Sequence, residues 1–226
     1  SYFELHIEQG PKLEAADMQV GVVTGCYDVR GFIAEVRGAN AHAGPTPMPQ
    51  RRNAIVGAAA LITAINDIGW AYHATGGTAT TARMKVEPNL LGILAHRVEM
   101  QCDFRHPVNG VPVDMLASLK ARLPEIAARG NCDIGIVREW QFGGIRFDEA
   151  QVDLVRQASQ ALGYRTMDIL TVAGHDSMHA GLKMPAAMIF TPCEKGLSHT
   201  EAENVTPEMI APGVNVLLHA VLARDA

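Results

Sequence analysis

Gly31-Phe32-Ile33-Ala34-Glu35-Val36-Arg37-Gly38 alternates in character between two bounding glycines, the pattern of a β-strand with one buried face. The segments on its C-terminal side decide the fold. Gly44-Pro45-Thr46-Pro47-Met48-Pro49 cannot be regular structure, because its prolines fix φ and remove donors. Asn53 to Ile68 is the strongest helical run in the chain. Ile55, Ala59, Leu61, Ile62 and Ile65 are expected to form its apolar stripe, with Asn53 as the cap and Gly69 near the end. Thr78 to Val86 and Val98 to Phe104 are two further strands. Val113 to Ala128 is a helix with Met115, Leu116, Leu119 and Leu123 on one face, which Pro124 should kink or split. Cys132 to Val137 closes the series as a fourth strand. The order strand-helix-strand-strand-helix-strand is the split βαβ pattern, so residues 27 to 142 are assigned to one ferredoxin-like (βαββαβ) domain.

The flanking segments have a different rhythm. Phe3, Leu5 and Ile7 alternate with Glu4, His6 and Glu8 as a strand that Gly10-Pro11 ends. Residues 11 to 18 suit a short helix or loop, and Val20 to Gly25 a buried strand. Beyond residue 142, Asp148 to Leu162 reads as a helix capped by Gly163, with Val152, Leu154, Val155 and Leu162 inward. Asp168 to Val172 and Pro185 to Phe190 are apolar runs fit for buried strands, and Pro207 to Ala223 is a last helix opened by proline. Residues 1 to 26 and 143 to 226 are therefore expected to pack as one α/β domain into which the ferredoxin-like domain is inserted.

Composition narrows the function classes. With 48% hydrophobic and 19% charged residues among 226, the chain is long and apolar enough for one large or two modest cores. A formal charge of -5 without a Lys/Arg cluster argues against a nucleic-acid partner. Cys26, Cys102, Cys132 and Cys193 form no CxxC pair and suit reduced thiols in a cytoplasmic protein. No uninterrupted apolar run reaches the ~18 residues of a membrane span, so no membrane partner is expected. Ser1-Tyr2-Phe3 carries no signal-peptide pattern, and a chain that opens directly on a strand is expected to be truncated or processed.

The chemistry-bearing residues lie apart in sequence. The polar face of the first strand carries His6 between two carboxylates to a strand end. Gly196-Leu197-Ser198-His199-Thr200-Glu201-Ala202-Glu203 again centres a histidine among carboxylates. Neutral imidazoles are zinc ligands, although two histidines this far apart make no local motif. Gln9 follows the strand, His42 sits in an Ala-His-Ala-Gly loop, and Arg105 ends a strand where its planar fork could grip a carboxylate. Gly174 would let backbone approach a ligand closely. His73, His96, His175, His179 and His219 are assigned to packing or surface, and Arg51-Arg52 to a surface feature at a helix start.

Five ordered motifs turn these fragments into a resemblance: His6-Ile7-Glu8-Gln9-Gly10-Pro11, Ala41-His42-Ala43-Gly44-Pro45-Thr46-Pro47-Met48, Asp103-Phe104-Arg105-His106-Pro107, Gly174-His175-Asp176 and Ser198-His199. Together the chain resembles the hydantoinase/carbamoylase branch of the M20 metallopeptidase-like amidohydrolases. That branch includes N-carbamoyl-L-amino-acid hydrolases, β-ureidopropionases and allantoate amidohydrolases. The resemblance implies an α/β, two-domain architecture: a catalytic domain, here partial, with an inserted lid and dimerisation domain. It implies hydrolysis of the carbamoyl C–N bond of a small ureido acid, and a homodimer formed through the lid. It implies a two-metal site, with zinc as the expected ion and manganese, cobalt or nickel as alternatives. His6 and His199 would each ligate one metal, the remaining ligands and the general-base Glu falling outside this sequence. His42 would donate to the oxyanion in the partner subunit's site, and Gln9, Arg105 and Gly174 would contact substrate. Gly92 stands where the family carries a substrate-binding Asn, and Thr171-Val172 where it carries Ser-Gly; both bear on which substrate fits. Two rivals stay open at this level: an M20 aminoacylase or dipeptidase, and a non-catalytic dimerisation or binding module.

Overall fold

A computed structural model describes residues 1 to 225. In chain order the elements are β1 (Tyr2–Ile7), α1 (Lys12–Ala15), β2 (Val20–Cys26), β3 (Asp28–Arg37), α2 (Ala54–Tyr72), β4 (Thr78–Glu87) and β5 (Arg97–His106). They continue with α3 (Val111–Gly130), β6 (Asp133–Gly143), α4 (Glu149–Ala161), β7 (Thr166–Thr171), α5 (Asp176–Ala180), β8 (Ala186–Thr191) and α6 (Pro207–Asp225). The chain forms two compact units, Asp28–Phe142 and the residues on either side of it.

In the central unit the four-stranded sheet runs β4-β5-β3-β6, the strand order of a ferredoxin-like split βαβ unit. β5 pairs antiparallel with both β3 and β4, with Phe32 opposite Cys102 and Ala34 opposite Met100. Phe32 and Phe104 meet at 5.4 Å between ring centroids, and α2 and α3 cover them with Leu61, Ile65, Met115 and Leu119.

α2 faces the sheet differently from the expected stripe. Asn53 caps it as anticipated, its side chain accepting from the Ile55 N–H. The buried face is Ala54, Gly57, Ala58, Leu61, Ala64, Ile65 and Ile68, whereas Ile55 is 46% exposed and Ala59 is also outside. The cause is the close approach of helix to sheet. A Cβ on Gly57 would lie 2.3 Å from the Cys132 Sγ and 3.0 Å from Val36 Cγ1, so at that point of the face only glycine fits. By length and composition Ala54–Thr75 could also cross a membrane, but one face is built into this core. α3 is not split at Pro124, which lies exposed within the helix.

In the other unit the sheet runs β1-β8-β2-β7, with β1 parallel to β8, β2 antiparallel to β8 and β2 parallel to β7. β8 is buried throughout, as an apolar run between two neighbours should be. β1 is an edge strand and all six of its residues are half-buried, so the expected alternation of a buried and an open face is not realised. α4 opens on Asp148, whose carboxylate accepts from the Gln151 N–H, and is followed by Gly163 at φ +73°. Leu154 and Leu162 are half-buried, not inward, while Val152 and Val155 are in the core.

Candidate functional site

β1 sets the first half of the site. Glu4 and His6 share its polar face by the two-residue period of a strand. His6 Nδ1 donates to the carbonyl of Ile7 at 2.8 Å, which leaves the Nε2 lone pair open. Glu4 turns to the start of α5, where Oε2 accepts the Ser177 N–H at 2.7 Å. Against this face lies His175, buried, its ring edge-on to His6 at 4.5 Å between centroids and 5.6 Å from Phe190. The Thr171 hydroxyl donates to the Ala173 carbonyl at 3.1 Å. Its oxygen therefore accepts from His175 Nε2, 2.9 Å away. Burial first, and the neighbouring His6 second, bring the His175 imidazole down to about 4, with Asp176 acting in the opposite sense. His175 is thus neutral at physiological pH. Gly174, the residue the motif singled out, is exposed in the loop after β7, and His175 beside it makes the contacts.

The second half of this unit's site is the turn that carries His199. Gly196, at φ +64°, sits so close to β1's continuation that a Cβ there would lie 2.5 Å from Pro11 N and 2.6 Å from Gly10 C. That approach brings Ser198 and His199 to Gln9. The Gln9 amide donates to Ser198 Oγ at 2.9 Å and lies 3.3 Å from His199 Nε2. Gln9 and His199 both have positive φ, at 58° and 57°, a sparsely populated conformation for residues with side chains. Glu203 accepts the His199 N–H at 2.9 Å, and its carboxyl is held below the usual range by Ser198 first and by that N–H second. A cleft of about 460 Å³ runs beside them, lined by Leu5, His6, Thr191, Glu203 and Ile210 among others. Glu8 is a structural group, its carboxylate accepting from the N–H groups of Lys12 at 2.9 Å and Leu13 at 2.7 Å at the start of α1.

These donors do not make a metal centre by themselves. Among the described residues no three His, Cys, Asp or Glu side chains are grouped to hold an ion. His6 offers a lone pair oriented by its bond to Ile7, which suits a ligand. His199 Nε2 faces the Gln9 amide, which must withdraw before that nitrogen can bind a metal.

In the ferredoxin-like unit, His42 forms a β-bridge with Ile93 and is exposed. The Gly44 N–H donates to His42 Nδ1 at 3.1 Å, so in the neutral ring the proton sits on Nε2 and points outward as a donor. The loop is pinned by backbone bonds from Ala43 N–H to Gly92 carbonyl and from Leu94 N–H to Ala41 carbonyl, both 2.8 Å. Gly92 thus lies beside His42, and nothing stands within 4 Å of where a side chain there would begin. Arg51 is not the surface group expected: its Nη2 reaches the Ala43 carbonyl at 2.7 Å and its Nε the Thr46 carbonyl at 2.9 Å. Arg105, half-buried on β5, gives Nε and Nη2 to the two oxygens of Asp103 at 3.0 and 2.9 Å. Part of its fork is therefore already engaged within the unit. The sequence had no signal for Arg51. For His175 the signal existed in the Gly-His-Asp triplet but was assigned to the glycine.

A ferredoxin-like unit inserted in an α/β unit is the M20-like architecture. The model of Peptidase family M20/M25/M40 matches residues 1–223, and the chain belongs to that family. It is 37% identical over 222 residues to a protein of Rhizobium meliloti named N-carbamoyl-L-amino-acid amidohydrolase, covering 98% of this chain and 53% of that protein. It is 25% identical over 221 residues to the allantoate amidohydrolase of Bacillus subtilis, covering 96% of this chain and 52% of the relative. Among solved structures, an amidase of the hydantoinase/carbamoylase family from Burkholderia vietnamiensis superposes with a TM-score of 0.91 at 43% identity, over 98% of this chain and 54% of that one. The chain spans about half the length of the relatives it matches.

Proposed function

We propose that this chain serves in a metal-dependent amidohydrolase that cleaves the carbamoyl C–N bond of N-carbamoyl amino acids or related ureido acids. The observation that carries this is the state of His42. A backbone N–H occupies its Nδ1, so the ring presents Nε2–H as a donor. Amide and ureido hydrolysis develops negative charge on the carbonyl oxygen, and a preorganised donor aimed at it contributes several kcal/mol, roughly 3–4 in measured cases. The relatives named for N-carbamoyl amino acids and allantoate support ureido substrates over simple peptides.

In this assignment Arg105 receives the substrate carboxylate, and Gln9 and the Gly174 backbone complete the substrate contacts. His6 and His199 each supply one nitrogen to a divalent metal, zinc first, with manganese, cobalt or nickel as alternatives. Such an ion supplies a polarised carbonyl and an acidified water. Because the described residues do not group a third ligand with them, the chain alone is expected to bind metal weakly and to lack turnover. Residues 27 to 142 act as the lid and dimerisation domain. Its free edge strand β4 is mostly exposed, and Ile55, Val56 and Trp70 lie open along α2, which suits a homodimer. The four cysteines are buried and form no disulfide among the described residues, in keeping with a reducing, cytoplasmic compartment.

The test is a substrate panel on the product of the gene that encodes this sequence, chelated and then reloaded with single metals. N-carbamoyl amino acids should turn over fastest and only with metal. Faster hydrolysis of N-acetyl amino acids or dipeptides would move the assignment to the aminoacylase or dipeptidase class. Light scattering that shows only monomer would reject the dimer.

A further inference from the structure

We infer that Arg51 is the positioning residue that selects the tautomer of His42. The peptide group between Ala43 and Gly44 is held from both ends. Its carbonyl accepts from Arg51 Nη2 at 2.7 Å, and its N–H donates to His42 Nδ1 at 3.1 Å. A charged donor on the carbonyl fixes the plane of that peptide and polarises it, which strengthens the N–H as a donor on the opposite side. The same guanidinium reaches Gly44 O at 3.3 Å and Thr46 O at 2.9 Å, so one side chain closes the loop from 43 to 51. The base of the clasp is fixed as well, because the Arg51 N–H donates to the Met48 carbonyl at 3.2 Å and the Arg51 carbonyl accepts from Asn131 Nδ2 at 3.3 Å. With Nδ1 occupied, the neutral His42 ring carries its proton on Nε2 and presents it outward.

The fork matters more than the charge. A guanidinium holds two or three carbonyls in a fixed geometry, whereas an ammonium is a single point with rotatable donors. Arg51 acts on His42 through the 43–44 peptide. Its importance for turnover rests on the oxyanion role proposed for His42, but the tautomer selection does not.

The experiment is imidazole nitrogen NMR on the isotope-labelled 226-residue chain in alkaline buffer. The wild type should show His42 protonated on Nε2 alone, with a coupling across the hydrogen bond from the Gly44 amide to Nδ1. In Arg51→Lys that pattern should become a mixture of tautomers, and the Gly44 amide should exchange roughly three- to tenfold faster, the effect of one weakened hydrogen bond. The Ile55 amide, capped by Asn53, should stay as in the wild type and report an intact helix start. A wild-type His42 protonated on Nδ1 would overturn the inference whether or not the variant folds. So would an Arg51→Lys spectrum identical to wild type. Kinetics of His42→Ala test the oxyanion role separately: unchanged turnover would remove that role while leaving Arg51's action on the tautomer standing.

Discussion

Replacing Gly196 with alanine should detach the His199 turn from the end of β1. Two costs combine. Gly196 has φ +64°, where a Cβ is disfavoured by about 1–2 kcal/mol. The new methyl would also lie 2.5 Å from Pro11 N and 2.6 Å from both Gly10 C and Pro11 Cα, all backbone atoms that cannot swing aside. Overpacking of that kind costs a further 1–3 kcal/mol or so, giving roughly 2–5 in all. Gly163→Ala is the matched control, because φ is +73° and nothing lies within 4 Å of its Cβ, so only the first cost applies. Hydrogen exchange followed on peptides of β8, which pairs with β1, measures the opening free energy of this unit for both variants. Gly196→Ala should lose about 1–3 kcal/mol more protection than Gly163→Ala. It should also lose the Gln9–Ser198 bond of 2.9 Å, seen as faster exchange of the Gln9 side-chain amide. If the two variants match within about 0.5 kcal/mol, the tight seat of the turn on Gly10-Pro11 is not what positions His199, and the reasoning fails.

Leu119→Ala, which empties a fully buried position under the ferredoxin-like sheet, should cost about 2–5 kcal/mol in urea unfolding. Ile55→Ala on the open face of α2 should change stability by no more than about 0.5 kcal/mol in a monomeric preparation. The Arg97 guanidinium, aided by Arg37, holds the buried Glu35 carboxyl below its usual 4.5, so its stabilisation is complete above that pH and is lost as pH falls through the lowered value. Glu35→Gln should therefore cost about 1–2 kcal/mol at pH 7 in denaturant titrations, with the gap to wild type closing in acid; a gap that widens in acid would contradict the pairing. In the active enzyme Arg105→Lys should penalise an N-carbamoyl amino acid at least about tenfold more in kcat/KM than its carboxamide analogue, since only the former presents a carboxylate to the fork. Equal losses would make Arg105 a structural partner of Asp103 and not a substrate ligand.

What could be read from the sequence was what is encoded locally. Asn53 was legible as a cap because a cap is a relation between a side chain and an N–H two or three residues on. The strands of the ferredoxin-like sheet were legible because alternation and bounding turns lie within each segment. The buried face of α2 was not. Hydrophobic periodicity weights bulk, and Ile55 outweighs Gly57, yet the approach of Cys132 and Val36 selects the glycine for the inside. Pro124 misled for the opposite reason. A proline is a strong local signal, but burial of Met115, Leu116 and Leu119 before it and Ile126 after it keeps the helix whole across Pro124.

The candidate site divides along the same line. His6, His42 and His199 stand out as residue types in short motifs, so a sequence can nominate them. What each ring can do depends on the partner its nitrogens already have, a backbone group on Nδ1 for His6 and His42 and a side chain on Nε2 for His199. Ile7 supplies a carbonyl to His6, Gly44 supplies an N–H to His42, and Gln9 supplies an amide to His199 from 190 positions away. A backbone partner has no residue-type signature, and neither does the group that fixes the backbone. Arg51 looks like one of two adjacent surface arginines, and only the folded loop shows that its neighbour Arg52 turns instead to Asp133 at 2.6 Å and the Asn131 carbonyl at 3.2 Å. The two arginines are equivalent in charge and differ in which atoms their forks meet. Exchanging them for lysines one at a time should therefore separate a local clasp on His42 from a generic surface charge: Arg52→Lys should leave the His42 nitrogen spectrum unchanged, and Arg51→Lys should not.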